Sequence, residues 1–254
     1  MASIVWADGV DTAWTDLLAY LDGLGFDRVM YAATHFQGGR GLGDAHDALI
    51  LSNYSDRFLR DYVDGGLFRK APVVRWAARN VGAISWGPIT EAAQAGLLSP
   101  EEAEVVAYNQ RHGARAGYAV SFPRSSSRSA AGIGLGTTRM DQAGVDALWA
   151  ERGAEVQTVT AAAHLKFIAL PHDGRLSVLT PRQREVLELV ADGKTVSDVA
   201  AILERTSATV EKHLRLAREA LNVDTTAQAI MKASLQNQFF IAEVPPRKVT
   251  SASG

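Results

Sequence analysis

Apolar residues recur at helical spacing near both ends of the chain and at strand spacing between them. Trp14, Leu17, Leu18, Leu21 and Leu24 fall three or four apart and predict a helix. FDRVMYAA (26–33) reads as a strand and ALILSNY (48–54) as a second, with the Gly-rich loop GGRGLG (38–43) between them. SDRFLRDYV (55–63) and PVVRWAARN (72–80) read as helices and GAISWG (82–87) as a strand. Ser99 and Glu102 stand in capping-box spacing with Pro100 at the first helical position, so a helix opens at SPEEAEVV. YAVSFP and AAGIGLGTT form a predicted hairpin around the Ser-rich loop SSSRS, where Arg124 and Arg128 are loop residues and not a phosphate site. A long helix covers roughly 141–168. Helices bracketing about five strands predict an α/β fold, an α-β-α sandwich around a mainly antiparallel sheet.

The pattern changes after ALPHDGRLSVLT (169–180), whose Pro171, Asp173 and Gly174 are turn formers. We therefore expect a first domain over 1–170, a linker at 171–178, an all-α domain over 179–243 and a disordered tail at 244–254. Four caps punctuate the second domain. They are Thr180 with Gln183 around Pro181, Thr195 with Asp198, Thr206, and Thr225 with Gln228. Gly193 stands where a helix ends in a left-handed residue. Val196, Val199, Ala200 and Leu203 make the inner face of the second helix, and Val210, Leu214, Ala217 and Leu221 that of the third. The third helix opposes that face with Lys212, Arg215 and Arg218 after the small residues Ser207 and Ala208. Two short helices around a tight corner, the second cationic, fit a helix-turn-helix whose second helix enters the major groove. A solvated helix face is the alternative.

The chain has 254 residues, 47% hydrophobic and 21% charged, which suits a globular protein with a sizeable core. It has no cysteine, so disulfides and thiolate chemistry are excluded. The six histidines show no metal-ligand spacing, no G-x-S-x-G elbow occurs, and GGRGLG lacks the dinucleotide-binding pattern. No cofactor and no metal are expected. Neither a secretory signal nor an apolar run of membrane-spanning length occurs, so a cytoplasmic protein without membrane association is expected. The net charge of -2 divides into -4 for residues 1–174 and +2 for 175–254.

LTPRQREVLELVADGKTVSDVAAILERTSATVEKHLRLAREALNV resembles the DNA-binding domain of LuxR-family transcriptional regulators. The matching features are Leu179-Thr180 through Val186-Leu187, Gly193-Lys194-Thr195, and Thr209-Val210 with His213. The resemblance implies double-stranded DNA as partner, bound by a homodimer at an inverted repeat. Lys212, Arg215 and Arg218 would read or position the duplex, and Thr195, Thr206, Ser207, Ala208 and Thr209 would approach phosphates or bases. It makes His213 a packing and hydrogen-bonding residue, and makes Ala229, Ile230 and Ala233 candidates for a dimer face or for ordinary packing.

The first domain is similar to the autoinducer-binding domain of quorum-sensing LuxR proteins, on NYSDRFLRDYVDGGLFRKAPVVRWA and ISWGPI. That resemblance implies a small-molecule signal held by Tyr54, Phe58, Tyr62, Ala71, Val74 and Trp86. It also implies that family members place an indole N–H donor at the Phe58 position and a carboxylate acceptor at the Ala71 position. Phenylalanine cannot donate and alanine cannot accept. Losing both contacts weakens a lactone amide by about two to four powers of ten. A signal other than a common acyl-homoserine lactone is therefore expected. A lactone held through other contacts, a closed, ligand-independent pocket, or a signal-hydrolysing domain fused to a DNA-binding module, are the alternatives. Gly132, Gly134 and Gly136 alternate at strand period and leave space for a ligand or a neighbouring group.

Overall fold

The computed structural model describes residues 2–35, 47–171 and 179–241. The GGRGLG loop, most of the linker and the tail lie outside them. The chain divides into two compact units, Met1–Val178 and Leu179–Gly254.

The first unit opens with helices α1 (Ala2–Trp6) and α2 (Val10–Gly23) and the strands β1 (Arg28–Thr34) and β2 (Leu49–Ser52). Then come α3 (Asp56–Leu59), a π-helical turn Arg60–Asp64, a 3-10 turn Leu67–Lys70, α4 (Pro72–Ala77) and β3 (Gly82–Ser85). Helices α5 (Gly87–Gln94) and α6 (Pro100–Arg111), strands β4 (Ala116–Ser121) and β5 (Ala130–Thr137), and the long α7 (Gln142–Ala169) complete it. The strands form one sheet in the order β2-β1-β5-β4-β3, and every neighbouring pair is antiparallel. The mainly antiparallel α-β-α sandwich expected from the sequence is the architecture observed. Helix α5 had no counterpart in the sequence reading, because GPITEAAQ lacks a clear apolar stripe.

Strand alternation divides the sheet into two unlike faces. Val29 and Tyr31 of β1, Tyr118 and Val120 of β4, and Ile133 and Leu135 of β5 pack with Leu17 and Leu21 of α2 and with Val156, Val159 and Phe167 of α7. This is the main core. Within it the Tyr31 hydroxyl and His164 Nδ1 share a hydrogen bond of 2.9 Å, and His164 stacks on Phe122 with ring centroids 4.5 Å apart. Burial lowers the His164 pKa to about 4, and the charge of His35 acts in the same direction. The folded protein thus keeps His164 neutral where an unfolded chain, with a pKa of about 6.5, takes up a proton. Stability should be fully present above about pH 6.5 and fall as the pH drops towards 4. Denaturant midpoints at pH 7.5 and pH 5 check this. The decline should be smaller in His164→Gln, and an equal decline would contradict the assignment.

On the opposite face β1, β4 and β5 present smaller groups, including Ala32, Gly117, Ala119, Gly132, Gly134 and Gly136. A second apolar cluster covers this side, built on Phe58, Tyr62, Val63, Ala71 and Val105 from α3, the turns and α6. The Ser99–Glu102 capping box that starts α6 forms as the sequence predicts.

The second unit contains α8 (Pro181–Ala191), α9 (Val196–Ile202), α10 (Ser207–Ala220) and α11 (Thr226–Leu235). All four predicted caps form, three of them as reciprocal capping boxes at Thr180, Thr195 and Thr225. Each contributes about 1 kcal/mol. Gly193 takes a left-handed φ of 85°. Val186, Leu187, Val199, Val210, Leu214, Ala217 and Leu221 bury into one core. Ala229 and Ala233 belong to it too, with no exposure, and Ile230 packs against it. That resolves the two options for the Ala229–Ala233 face: its alanines pack inside their own unit.

Candidate functional site

Between the sheet and its second cluster lies a cavity of about 220 Å³. Tyr54, Phe58, Tyr62, Ala71, Val74 and Trp86, the six residues named from the sequence, all line it. Tyr54, Phe58 and Tyr62 stack in a ladder, with ring centroids 4.3 Å and 4.9 Å apart at successive steps. The Gly65 N–H bonds to the Arg60 carbonyl at 2.8 Å, the five-residue step of the π-helical turn that carries Tyr62. Phe58 and Ala71 are 3% and 2% exposed, so no hydrogen-bonding side chain reaches the cavity from either position. Burial pushes the Tyr62 hydroxyl up to about 12 although a hydrogen bond from Asn109 opposes the rise, and burial also raises Tyr54. The aromatic side of the cavity is thus an apolar wall that suits neutral groups.

The glycine positions explain how Trp86 fits. A Cβ on Gly117 would stand 2.8 Å from Trp86 Cζ3, and one on Gly136 would stand 3.2 Å from Cη2. At Gly134 the nearest indole atom, Cζ2, would be at 3.7 Å. The gaps left by alternate glycines are therefore filled by the six-membered ring of one indole. The backbone of Trp86 is fixed as well, its N–H donating to the Gly117 carbonyl at 3.0 Å. Behind it Gln142 Nε2 donates to Ser85 Oγ at 3.0 Å and to Asp146 at 2.9 Å, and the Gly117 N–H donates to Gln142 Oε1 at 3.0 Å.

In the second unit the corner between α9 and α10 is built by Glu204, which adopts a left-handed φ of 51°. The Arg205 N–H then returns to the Ala200 carbonyl at 2.9 Å, and Thr206 accepts from the Thr209 N–H at 3.2 Å to start α10. Left-handed backbone costs a non-glycine residue about 1–2 kcal/mol, so the corner is held by the packing on either side. Thr195, Thr206, Ser207 and Ala208 are exposed and Thr209 is half-buried. The Thr195 and Thr206 hydroxyls are already engaged as caps.

Lys212 and Arg215 are exposed. Arg215 Nη1 donates to Glu219 Oε1 at 2.6 Å across one turn. Arg218 differs from the outward cation expected of it. It is half-buried, and its Nη1 donates to Thr226 Oγ1 at 3.0 Å, tying α10 to α11. Four residues after Leu214, it stands only about 40° round the helix from that core position. The three-cation face is thus a two-cation face with Arg218 at its rim. His213 is half-buried, as a packing role requires, but its Nδ1 has no hydrogen-bond partner among the described residues.

The sequence model of the autoinducer binding domain matches residues 9–167, and that of the bacterial regulatory proteins of the luxR family matches residues 177–233. The chain belongs to the LuxR family. It is a LuxR-type transcriptional regulator with a ligand-binding domain and a helix-turn-helix domain. This LuxR-family chain is 23% identical to the transcriptional activator protein CarR of Pectobacterium carotovorum subsp. carotovorum over 200 residues, 75% of this chain and 80% of that protein. It is 26% identical over 192 residues to the transcriptional activator protein LuxR of Aliivibrio fischeri, covering 74% of each. Escherichia coli SdiA has the same fold, with a TM-score of 0.54 at 15% identity over 93% of this chain and 94% of that one. LuxR-family regulators bind DNA and small autoinducer-like ligands, and often dimerise.

Sequence reading missed the polar part of the cavity wall. Thr90, Asn109, Gln110 and Arg115 also line it, from α5, α6 and the position just before β4. Nothing in the helical pattern of α6 separates Asn109 from a solvent-facing residue. Arg205, exposed at the corner immediately before α10, was likewise passed over.

Proposed function

We propose that this regulator senses a small, neutral, largely apolar molecule in the cavity of its first unit and binds an inverted-repeat operator as a homodimer in the cytoplasm. Helix α10 lies in the major groove. Lys212 and Arg215 read or position the duplex, Arg218 contributes from the rim, and Thr195, Thr206, Ser207, Ala208 and Thr209 form the close approach. The observation that carries the DNA-binding half is the exposure of Lys212 and Arg215 above small residues on the second helix of a capped helix-turn-helix. The signal is not a common acyl-homoserine lactone, because buried Phe58 and Ala71 supply neither a donor nor an acceptor. A cavity lined by stacked aromatics favours a ligand-responsive regulator over one with a closed pocket. The signal acts by binding one state of the regulator more tightly than the other.

A nuclease footprint on the promoter beside the protein's own gene tests the DNA half. Protection should cover two inverted half-sites whose centres are about one helical turn, ~10 base pairs, or a multiple of it apart. Protection without two-fold symmetry would remove the dimer from the proposal.

A further inference from the structure

Five exposed residues of α10, Ala208, Glu211, Lys212, Arg215 and Glu219, fall within an arc of about 100° around the helix. Two are cations and two are acids, so this face is balanced in charge, where a surface that only gripped phosphates would be cationic. The two acids differ in what they do. Glu219 Oε1 accepts from Arg215 Nη1 at 2.6 Å. Glu211 stands one turn before the same arginine, and no hydrogen bond or ion pair engages it among the described residues.

That pairing runs against the local rule. On a helix, an acid four positions before a cation is better placed than one four positions after it, so Glu211 is the partner that Arg215 should prefer. The helix dipole does not account for Glu211 either. It is the fifth residue of α10, past the first turn in which an acid gains from the dipole, and that turn holds no acid. Nothing in the fold uses this carboxylate. It lies one turn after Ser207, towards the end of α10 at which a groove-bound helix reads base edges.

A carboxylate beside a duplex is repelled by the phosphates unless it meets a donor, since it can only accept. The donors in the major groove are the amino groups at cytosine N4 and adenine N6, whereas guanine and thymine present acceptors there. Cytosine shows its donor alone, and adenine sets the N7 acceptor beside the amino group, so a carboxylate selects cytosine.

We propose that Glu211 is a specificity-determining residue of the DNA interface, its carboxylate accepting a hydrogen bond from the N4 amino group of one cytosine in each half-site. Lys212 and Arg215 hold the helix to the duplex, and Glu211 decides the sequence on which it settles. The inference rests on the reading that α10 lies in the major groove and adds the base that it selects.

The full chain is used to select from random-sequence duplexes, and the bound fraction is sequenced, for wild type, Glu211→Ala, Glu211→Gln and the Lys212→Ala, Arg215→Ala double variant. Wild type should favour cytosine over guanine or thymine at one position of each half-site by about ten- to a hundred-fold. Glu211→Ala should erase the preference at that position and leave the others intact. Glu211→Gln should move it to adenine, whose N6 and N7 suit a carboxamide. Both single variants should melt with wild type, because Glu211 is exposed and unbonded. If no cytosine preference depends on Glu211, or if Glu211→Ala gains affinity equally for every sequence, the role given to Glu211 falls. Lost selection in the double variant would then leave α10 in the groove. Selection unchanged in the double variant as well would overturn both readings.

Discussion

Replacing Lys212 and Arg215 together by alanine should weaken specific DNA binding by at least ~10²-fold at physiological salt, while the melting temperature stays within a degree or two. Each side chain in contact with a base edge or phosphate is worth about 1–3 kcal/mol, and a dimer loses both contacts twice. The slope of log affinity against log salt should also flatten by about one for every phosphate-contacting cation removed. Stability is spared because neither side chain supports the fold. Lys212 is exposed, and the Arg215–Glu219 pair is a surface pair with more than half of each side chain in solvent. Pairs of that kind contribute about 0.3–0.5 kcal/mol. Arg218→Ala should behave differently, because its bond to Thr226 links two helices and its loss reaches the packing of α10 on α11. Mobility shifts on the footprinted operator, beside thermal melts, check all three. Undiminished specific binding by the double variant would remove α10 from the DNA interface.

Leu214→Ala should abolish the same DNA binding by another route. Leu214 is 4% exposed and packs among Val186, Leu187, Val199 and Val210. Truncating a buried leucine costs about 2–5 kcal/mol, because the cavity left behind adds to the lost burial. At 0.05–0.15 kcal/mol per residue, a unit of this size holds only about 3–9 kcal/mol in total. One substitution therefore removes much of its stability although no DNA-facing group has changed. Amide exchange in α8, α9 and α10 should accelerate by a factor of at least ~30, taking the lower end of that loss. Exchange in those helices at the wild-type rate would mean that the helix-turn-helix does not depend on this contact.

The two sites differ in how far they could be read beforehand. Thr180, Thr195, Thr206 and Thr225 each complete a cap with a residue three positions on, and each forms as the spacing dictates. Val210, Leu214, Ala217 and Leu221 likewise bury as their period requires. Arg218 could not be placed that way. Its partner Thr226 lies on the next helix, and only the angle between α10 and α11 decides whether the guanidinium meets a hydroxyl or solvent. At the corner Glu204 gives no composition signal for left-handed backbone, because the packed helices on either side impose it.

The first unit shows the same division. Its strand alternation and its long last helix were legible because each is a short-range pattern along the chain, and Tyr54, Phe58 and Tyr62 were reached as lining residues through the family resemblance. The π-helical turn Arg60–Asp64 was not, since one extra residue in a helical turn leaves no mark on apolar spacing. The glycines of β5 could be read only as space, and the indole occupying that space comes from the end of β3, some fifty residues away in the chain. Sequence by itself determined most of the elements, the caps of the second unit and the family, because those depend on neighbours within a few positions. Which indole fills the glycine gaps of the sheet, and which cation of α10 meets the next helix, were decided by tertiary structure alone, because a contact between distant elements depends on their separation and angle, which no local pattern encodes.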